Sequence, residues 1–435
     1  MNNRISEYSG ISTSKVWREG RYFGTVDDWL EKKKKEDGAE GLWRIHDNLY
    51  DLTTWMKKHP GGSHWLEYTK GTDITEAFEI NHIRGNAEKV LKKFYVRRAK
   101  GNRSYSTTFN EMGFFKTLKR KLVDRKLLDD GCTSPQQKTK ILADTLAVSV
   151  FLTSLMGTFF NFWWFLLSGS LLGLLGVCSH NFFHMKDNWR MFYFHLSLMS
   201  LREWRISHVL SHHIFPNSYL DLEVSMVEPF LNFLPRTDKR IRYIAWTITP
   251  FLMMCLAHVQ FIRRLYLVLI KRSTKLEWKE ELVGFSFPLF IYIFNGAVSP
   301  WEIFLTWNVV VATASFVFTF IGFTAAHHHP EIYHDGDYLG NNRDFGVLQL
   351  AAVRDRSDVD GNYVLTTLMF GNHAMHHLFP TIDHSKLYDL NPVLEETCRE
   401  FNINFKPMTV KNMLLGMFQQ LVRNYTNFKL HIMNS

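Results

Sequence analysis

Apolar and polar positions are segregated along this chain instead of being interleaved throughout it. Residues 17–100 mix short apolar runs with charges, as a small soluble α+β domain does. Residues 42–52 (LWRIHDNLYDL) alternate like two short strands about a turn at His46-Asp47-Asn48. Residues 71–80 (GTDITEAFEI) predict a helix that Thr72 or Asp73 can cap, with Glu76 in its first turn. Residues 101–140 are polar and basic, a linker and juxtamembrane approach. Between residues 145 and 179 there is then no Asp, Glu, Lys or Arg. A bilayer core about 30 Å thick needs about 20 helical residues. The stretch 141–179 therefore supplies two passes with a turn near 157–161, and 282–326 supplies two more, turning at 296–300. Spans are expected near 141–159, 162–180, 282–297 and 302–326, in a membrane domain covering 141–435 that follows a short tail (1–16) and the soluble domain.

The stretch 244–259 is apolar but short, contains Pro250 and His258, and is bracketed by arginines. If it crossed, the histidine clusters on either side of it would face opposite compartments. It is therefore expected to lie in the interface or to re-enter.

Charge supports a membrane reading. A net charge of +9 could suit nucleic acid, but no zinc-finger, arginine-rich or RNA-binding signature accompanies it. The cations cluster beside the apolar runs: Lys116, Lys119, Arg120 and Lys121; Arg236, Lys239, Arg240 and Arg242; Arg263, Arg264, Lys271 and Arg272. Positive flanks mark a cytosolic membrane face, and the two tight turns carry no Lys or Arg. Both termini are expected in the cytosol, and no nucleic-acid partner is expected. Four scattered cysteines without a CxxC pair exclude a disulfide scaffold, a thiolate zinc site and covalent haem attachment.

Two groups of histidines carry the candidate chemistry. His59 stands in His-Pro-Gly-Gly, where Pro60 and two glycines force a loop, and His82 follows 23 positions later. Two opposed neutral imidazoles in a rigid apolar pocket are what a low-spin haem b needs, and Leu66, Ile74, Phe78 and Ile83 could wall it. Both axial positions would be filled, so such a domain passes electrons without binding oxygen. The second group is larger: His180 and His184; His208, His212 and His213; and His373, His376 and His377. Positions three and four apart share one helical face, so each cluster can aim its imidazoles at one point. Eight converging imidazoles without metal would be poorly paired. Zinc needs three or four ligands, whereas this many neutral nitrogens match two ions, and a neighbouring haem favours redox-active iron. Of His327, His328 and His329, which end the last span, His327 is the candidate to complete the shell. Asp187, Asn217, Asp221, Glu223 and Asn372 are candidates to orient the ligand rings.

Residues 17–98, with LWRIHDNLYDLTTW and HPGG, resemble the cytochrome b5 fold. HNFFH, HVLSHH followed by Pro216-Asn217, and GNHAMHHLFP resemble the three histidine boxes of membrane fatty acid desaturases, closest to the front-end type with a fused cytochrome b5 domain. The resemblance implies an α+β cytochrome b5-like haem domain (17–100) followed by an all-α, four-span desaturase-like domain with a cytosolic histidine cap. It implies His59 and His82 as axial ligands of non-covalent haem b, two non-haem iron ions, and a lipid acyl substrate, either acyl-CoA or phospholipid. NADH:cytochrome b5 reductase would be the electron donor and the endoplasmic reticulum the membrane. The implied activity is O₂-dependent acyl desaturation. A hydroxylase of the same superfamily, or a tethered electron carrier with an inactive desaturase half, are the alternatives. Three features depart from the family pattern: Asn181 stands where Asp is usual, the second box is one residue longer than HxxHH, and His373 stands where front-end members place Gln. The acyl chain is expected between the spans, near Phe159, Trp163, Phe320 and Phe323.

Overall fold

The computed structural model describes residues 25–128, 131–228, 230–235, 243–273, 278–338 and 340–427. The N-terminal tail, both chain ends and the basic cluster at Arg236, Lys239, Arg240 and Arg242 lie outside the described residues, so their expected sidedness does too.

The first domain opens with helix α1 (Val26–Glu36) and holds a three-stranded antiparallel sheet in the order β1 (Trp43–Ile45), β2 (Asn48–Tyr50), β3 (Tyr95–Arg98). Trp43 pairs with Tyr50 and Ile45 with Asn48. The connecting turn is tight because His46 takes the left-handed region, φ 53°, and Asn48 already belongs to β2. Helices α2 (Ser63–Thr69), α3 (Thr75–Asn81) and α4 (Asn86–Leu91) pack beside the sheet. The residue preceding α3 is Ile74, but Asp73 still supplies the acceptor, taking the Thr75 N–H at 3.0 Å and its hydroxyl at 2.6 Å. Trp43, Ile45, Leu52, Leu66 and Leu91 form the small core.

Helix α5 (Phe114–Asp124) buries Phe114, Phe115, Leu118 and Leu122, an amphipathic stripe at helical spacing. Its polar side ties the two halves of the chain together: Lys116 pairs with Glu79 at 2.8 Å, and Lys121 with Glu396 at 3.0 Å.

The helices α6 (Gln137–Phe159) and α7 (Trp163–Phe183) form the first long hairpin; the short helices α8 (Leu201–Trp204) and α9 (Leu222–Ser225) follow. Next come α10 (Ala245–Leu269), α11 (Trp278–Phe294) and α12 (Pro300–Ala325). Among the described residues α6, α7, α10 and α12 are long and apolar enough to cross a membrane. This set differs from the expected one in a single member, since α10 qualifies and α11, at 17 residues, falls short. Contacts show how the two sit. Asn295, just after α11, donates to Thr158 Oγ1 at the far turn of the α6–α7 hairpin, while Glu280 near its start meets His195 on the histidine-bearing side. Seventeen residues, about 26 Å at 1.5 Å per residue, thus connect the two faces. Both ends of α10 instead touch the histidine-bearing side: Trp246 donates to Phe418 O, and Arg264 to Leu198 O. Length and composition allow α10 to cross; its contacts keep both ends on one side.

Gly169 and Gly173 decide how deeply α7 and α12 interlock. A Cβ on Gly169 would stand 2.7 Å from Val310 O, and one on Gly173 2.9 Å from Ala314 O. Only glycine permits that approach, the small-xxx-small arrangement of packed membrane helices. The consequence is registration: His180 on α7 and His327 just past α12 arrive at the same level. Helices α13 (Phe345–Ala352), α14 (Tyr363–Met369), α15 (His373–Leu378), α16 (His384–Leu387), α17 (Asn391–Glu400) and α18 (Val410–Val422) then cap this end.

Candidate haem and metal sites

In the first domain, His59 follows a short 3₁₀ turn (Met56–Lys58), and His82 ends α3. Their ring centres are 6.1 Å apart. That is roughly what an ion held between two imidazole nitrogens at about 2 Å each requires. His59 Nδ1 lies 2.9 Å from Gly62 O and His82 Nδ1 2.9 Å from Phe78 O. Carbonyls only accept, so both Nδ1 atoms carry the proton and both Nε2 lone pairs are free. Burial pushes the His82 imidazole down to about 4, keeping it a neutral donor. Phe78 packs on His82 with ring centres 4.6 Å apart.

All nine histidines singled out in the membrane half come together in two adjoining groups. His180, His184, His208, His213 and His376 form one, and His212, His327, His373 and His377 the other; in each, one nitrogen per ring lies within 4.8 Å of all the others. In the first group His180 Nε2 is 2.6 Å from His208 Nε2 and 3.0 Å from His184 Nε2. In the second, His327 Nε2 is 3.0 Å from His212 Nε2 and 2.8 Å from His373 Nε2. The His213 and His377 rings stack at 4.2 Å where the groups meet. His328 and His329 stand apart: His328 stacks on Phe233 at 3.6 Å, and His329 accepts from Glu331 N.

The second nitrogens test whether metal fits. His208 Nδ1 faces Glu223 at 2.6 Å, His212 Nδ1 faces Asp221 at 2.9 Å, and His327 Nδ1 faces Ala352 O at 2.9 Å. Acceptors at Nδ1 place the proton there, so the Nε2 atoms of His212 and His327 meet lone pair to lone pair. Such a contact is repulsive unless a metal ion or a shared proton lies between them. His377 holds Gln349 through Nδ1 and leaves its Nε2 buried without a partner. The residues present fit metal. Burial depresses His213, His327, His373, His376 and His377 well below ordinary imidazole values. Burial pushes His212 down as well, but Glu223 and Asp221 outweigh it and raise the ring to about 9; the same carboxylates make its Nε2 a stronger donor.

The longer second box is accommodated by a π-helix, Arg205–His212. His213 N donates to His208 O at 2.9 Å, a five-residue step. The α-helical face expected for this box is therefore replaced by a wider turn, in which the inserted residue is absorbed and His208 and His213 stay in register.

Of the expected orienting residues, Asp221 and Glu223 hold ligand-group rings. Asn217 instead binds the carbonyls of His327, Tyr333 and Ala352, and Asn372 bonds Thr366 and Asn391. Asp187 pairs with Arg205 and His64. Three contacts had no signal in the sequence: Ala352 O, Gln349 behind His377 Nδ1 at 3.0 Å, and His384, whose Nε2 lies 3.2 Å from His376 Nδ1. Asn181 gains its reason here. Its amide donates to Asp383 Oδ2 and its oxygen accepts the His384 N–H, both at 3.0 Å. An aspartate at 181 would set two carboxylates against each other.

The two sites face one another across a seam. Arg205, three residues before His208, stacks over Trp65 at 5.0 Å and pairs with Asp187, three residues after His184. Asp187 also meets His64, on α2 directly after the loop that carries His59. The expected acyl tunnel is shifted: Phe159 and Trp163 are exposed at the far turn of the hairpin. A largely apolar cavity instead opens beside the histidines, lined by Phe318, Phe323, Leu222, Leu256 and Phe370, with His208, His212, His327 and His373 in its wall.

Residues 157–408 match the family model "Fatty acid desaturase", and residues 28–100 match "Cytochrome b5-like Heme/Steroid binding domain". The chain belongs to the fatty acid desaturase family. Its cytochrome b5-like domain implies a haem, and its desaturase domain implies a di-iron centre. Across 95% of both chains it is 39% identical to a protein named cytochrome b5-related protein from Drosophila melanogaster. More distant desaturase relatives include acyl-lipid (8-3)-desaturase B of Dictyostelium discoideum, 22% identical over 93% of each chain. Delta(8)-fatty-acid desaturase 2 of Arabidopsis thaliana is 25% identical over 87% of this chain and 89% of its own. The long apolar helices and the family membership make this an integral membrane protein.

Proposed function

We propose that this protein is an O₂-dependent fatty acyl desaturase that draws electrons from its own cytochrome b5-like domain (17–100) across a basic linker (101–140) to a membrane domain (141–435). His59 and His82 would hold the haem iron. His180, His184, His208, His212, His213, His327, His373, His376 and His377 hold two irons. The observation that carries the reading is the convergence of nine imidazole nitrogens in two adjoining groups, with four of those rings on the wall of an apolar cavity.

When bound, the di-iron centre supplies the oxidising power that removes hydrogen from an unactivated C–H bond. Such a reaction would balance as one O₂, two external electrons and two protons from solvent, together with the two hydrogens lost from adjacent acyl carbons, giving one double bond and two waters. The chain's own residues do the rest. Asp221, Glu223, Gln349 and Ala352 O hold the ring protons outward, and Arg205 with Asp187 seats α2, which follows the His59 loop, against the histidine cap. The cavity excludes water from the hydrocarbon. NADH:cytochrome b5 reductase is the proposed donor, in the endoplasmic reticulum membrane with both termini cytosolic. A complete ligand set supports an enzyme over a tethered electron carrier, in which nothing would require nine gathered imidazoles.

Metal analysis and product mass spectrometry test this. One haem iron and two non-haem irons per chain, with acyl products lighter by two hydrogens, are expected. A gain of one oxygen would make the protein a hydroxylase, and haem iron alone would make it a carrier.

A further inference from the structure

The cavity beside the histidines has one wall residue from an unexpected place. Val26, the first residue of α1 in the haem domain, lines it together with Phe318, Phe323 and Leu256 from the membrane half. Val26 is only 1% exposed. Its position is fixed locally and at long range. Thr25 Oγ1 accepts from Asp28 N at 3.0 Å, capping α1. Asp27 pairs with Arg202 at 2.5 Å, and the Trp29 indole donates to Leu220 O at 2.9 Å. Those anchors flank the stretches that shape the cavity, since Glu203 and Trp204 follow Arg202 and Leu222 and Glu223 follow Leu220. The charges on the wall are held by partners, Glu203 by Arg263 at 3.1 Å and Glu223 by His208 at 2.6 Å, and the rest of the lining is largely apolar.

We infer that α1 of the haem domain is a wall of the acyl pocket, and that Val26 helps to set which acyl chains fit. The electron-donor domain is then also part of the substrate site, and an acyl chain packed on Val26 contacts both halves of the protein at once. This rests on the acyl reading proposed above. Bulk added at position 26 fills pocket volume, whereas truncation enlarges it, so the residue tunes affinity by packing.

The test uses full-length holoprotein in lipid nanodiscs under anaerobic conditions, so that ligand binds without turnover. A diazirine-bearing stearoyl chain is presented in separate arms as a CoA thioester and as a phospholipid, and labelled peptides are mapped by mass spectrometry. Labelling of the peptide containing Val26, together with that containing Phe318 and Phe323, and competition by unlabelled stearoyl ligand support the inference. V26W is expected to weaken stearoyl binding about tenfold, or about 1.4 kcal/mol, with the haem spectrum and iron content unchanged. Labelling at Phe318 and Phe323 but not at Val26, with V26W binding as wild type, overturns the inference and leaves the acyl reading standing. Absence of labelling anywhere in the cavity overturns both. If V26W misfolds, the wild-type labelling pattern alone decides.

Discussion

The haem pocket and the metal cage use the same side chain in opposite ways. The haem pair lies within one short segment, His59 to His82, held by a turn and one helix end. The cage draws rings from α7, the π-helix after α8, the end of α12 and α15, spread over nearly two hundred positions. One site therefore depends on local backbone conformation, and the other on helix packing across the whole domain. In the haem pair a nearby carbonyl on Nδ1 turns each Nε2 inward; in the cage remote carboxylates, a carbonyl and an amide do so for His208, His212, His327 and His377.

The strongest way to break that comparison is to delete one ring from each site. His59→Ala or His82→Ala should abolish haem absorbance and spare non-haem iron, and His376→Ala should do the reverse. Loss of both cofactors from either change would show that the two sites do not assemble independently. Next in size, Asp221→Ala or Glu223→Ala should lower non-haem iron affinity about 10- to 100-fold, read by chelator competition, without touching the haem. Asn181→Asp should destabilise the cage by about 1–3 kcal/mol through the opposed Asp383 carboxylate. Adding Asp383→Asn should recover most of that loss, because an amide can again pair with position 181; thermal unfolding of the two variants checks it. The smallest effect concerns the seam. Arg205→Ala should slow reoxidation of the reduced haem severalfold in stopped flow, leaving the haem spectrum and iron content intact; an unchanged rate would remove Arg205 from the docking surface.

Legibility in the sequence tracked the same division. The strand pair about His46-Asp47, the acceptor Asp73 and the apolar hairpins were all readable, since alternation, capping and run length are local properties. The histidine clusters were readable too, because two or three ligands sit within one or two helical turns. The groups behind them were not. His384 and Gln349 reach their partners only after α13, α15 and α16 pack together, and no spacing marks them. Asn181 looked like a departure from the family pattern until Asp383 was found opposite. The placement of the acyl cavity was also out of reach: Phe159 and Trp163 share the apolar character of Phe323, and only depth separates them.

By itself the sequence determined two kinds of histidine site, a soluble domain ahead of a membrane domain, and the identity of the rings. Those follow from composition and short-range periodicity. Tertiary structure alone decided which rings share a group, which nitrogen each turns inward, and that α1 of the haem domain borders the cavity. Each of these depends on contacts between residues far apart in the chain, whose geometry is set by close packing, as where Gly169 and Gly173 let α7 and α12 interlock.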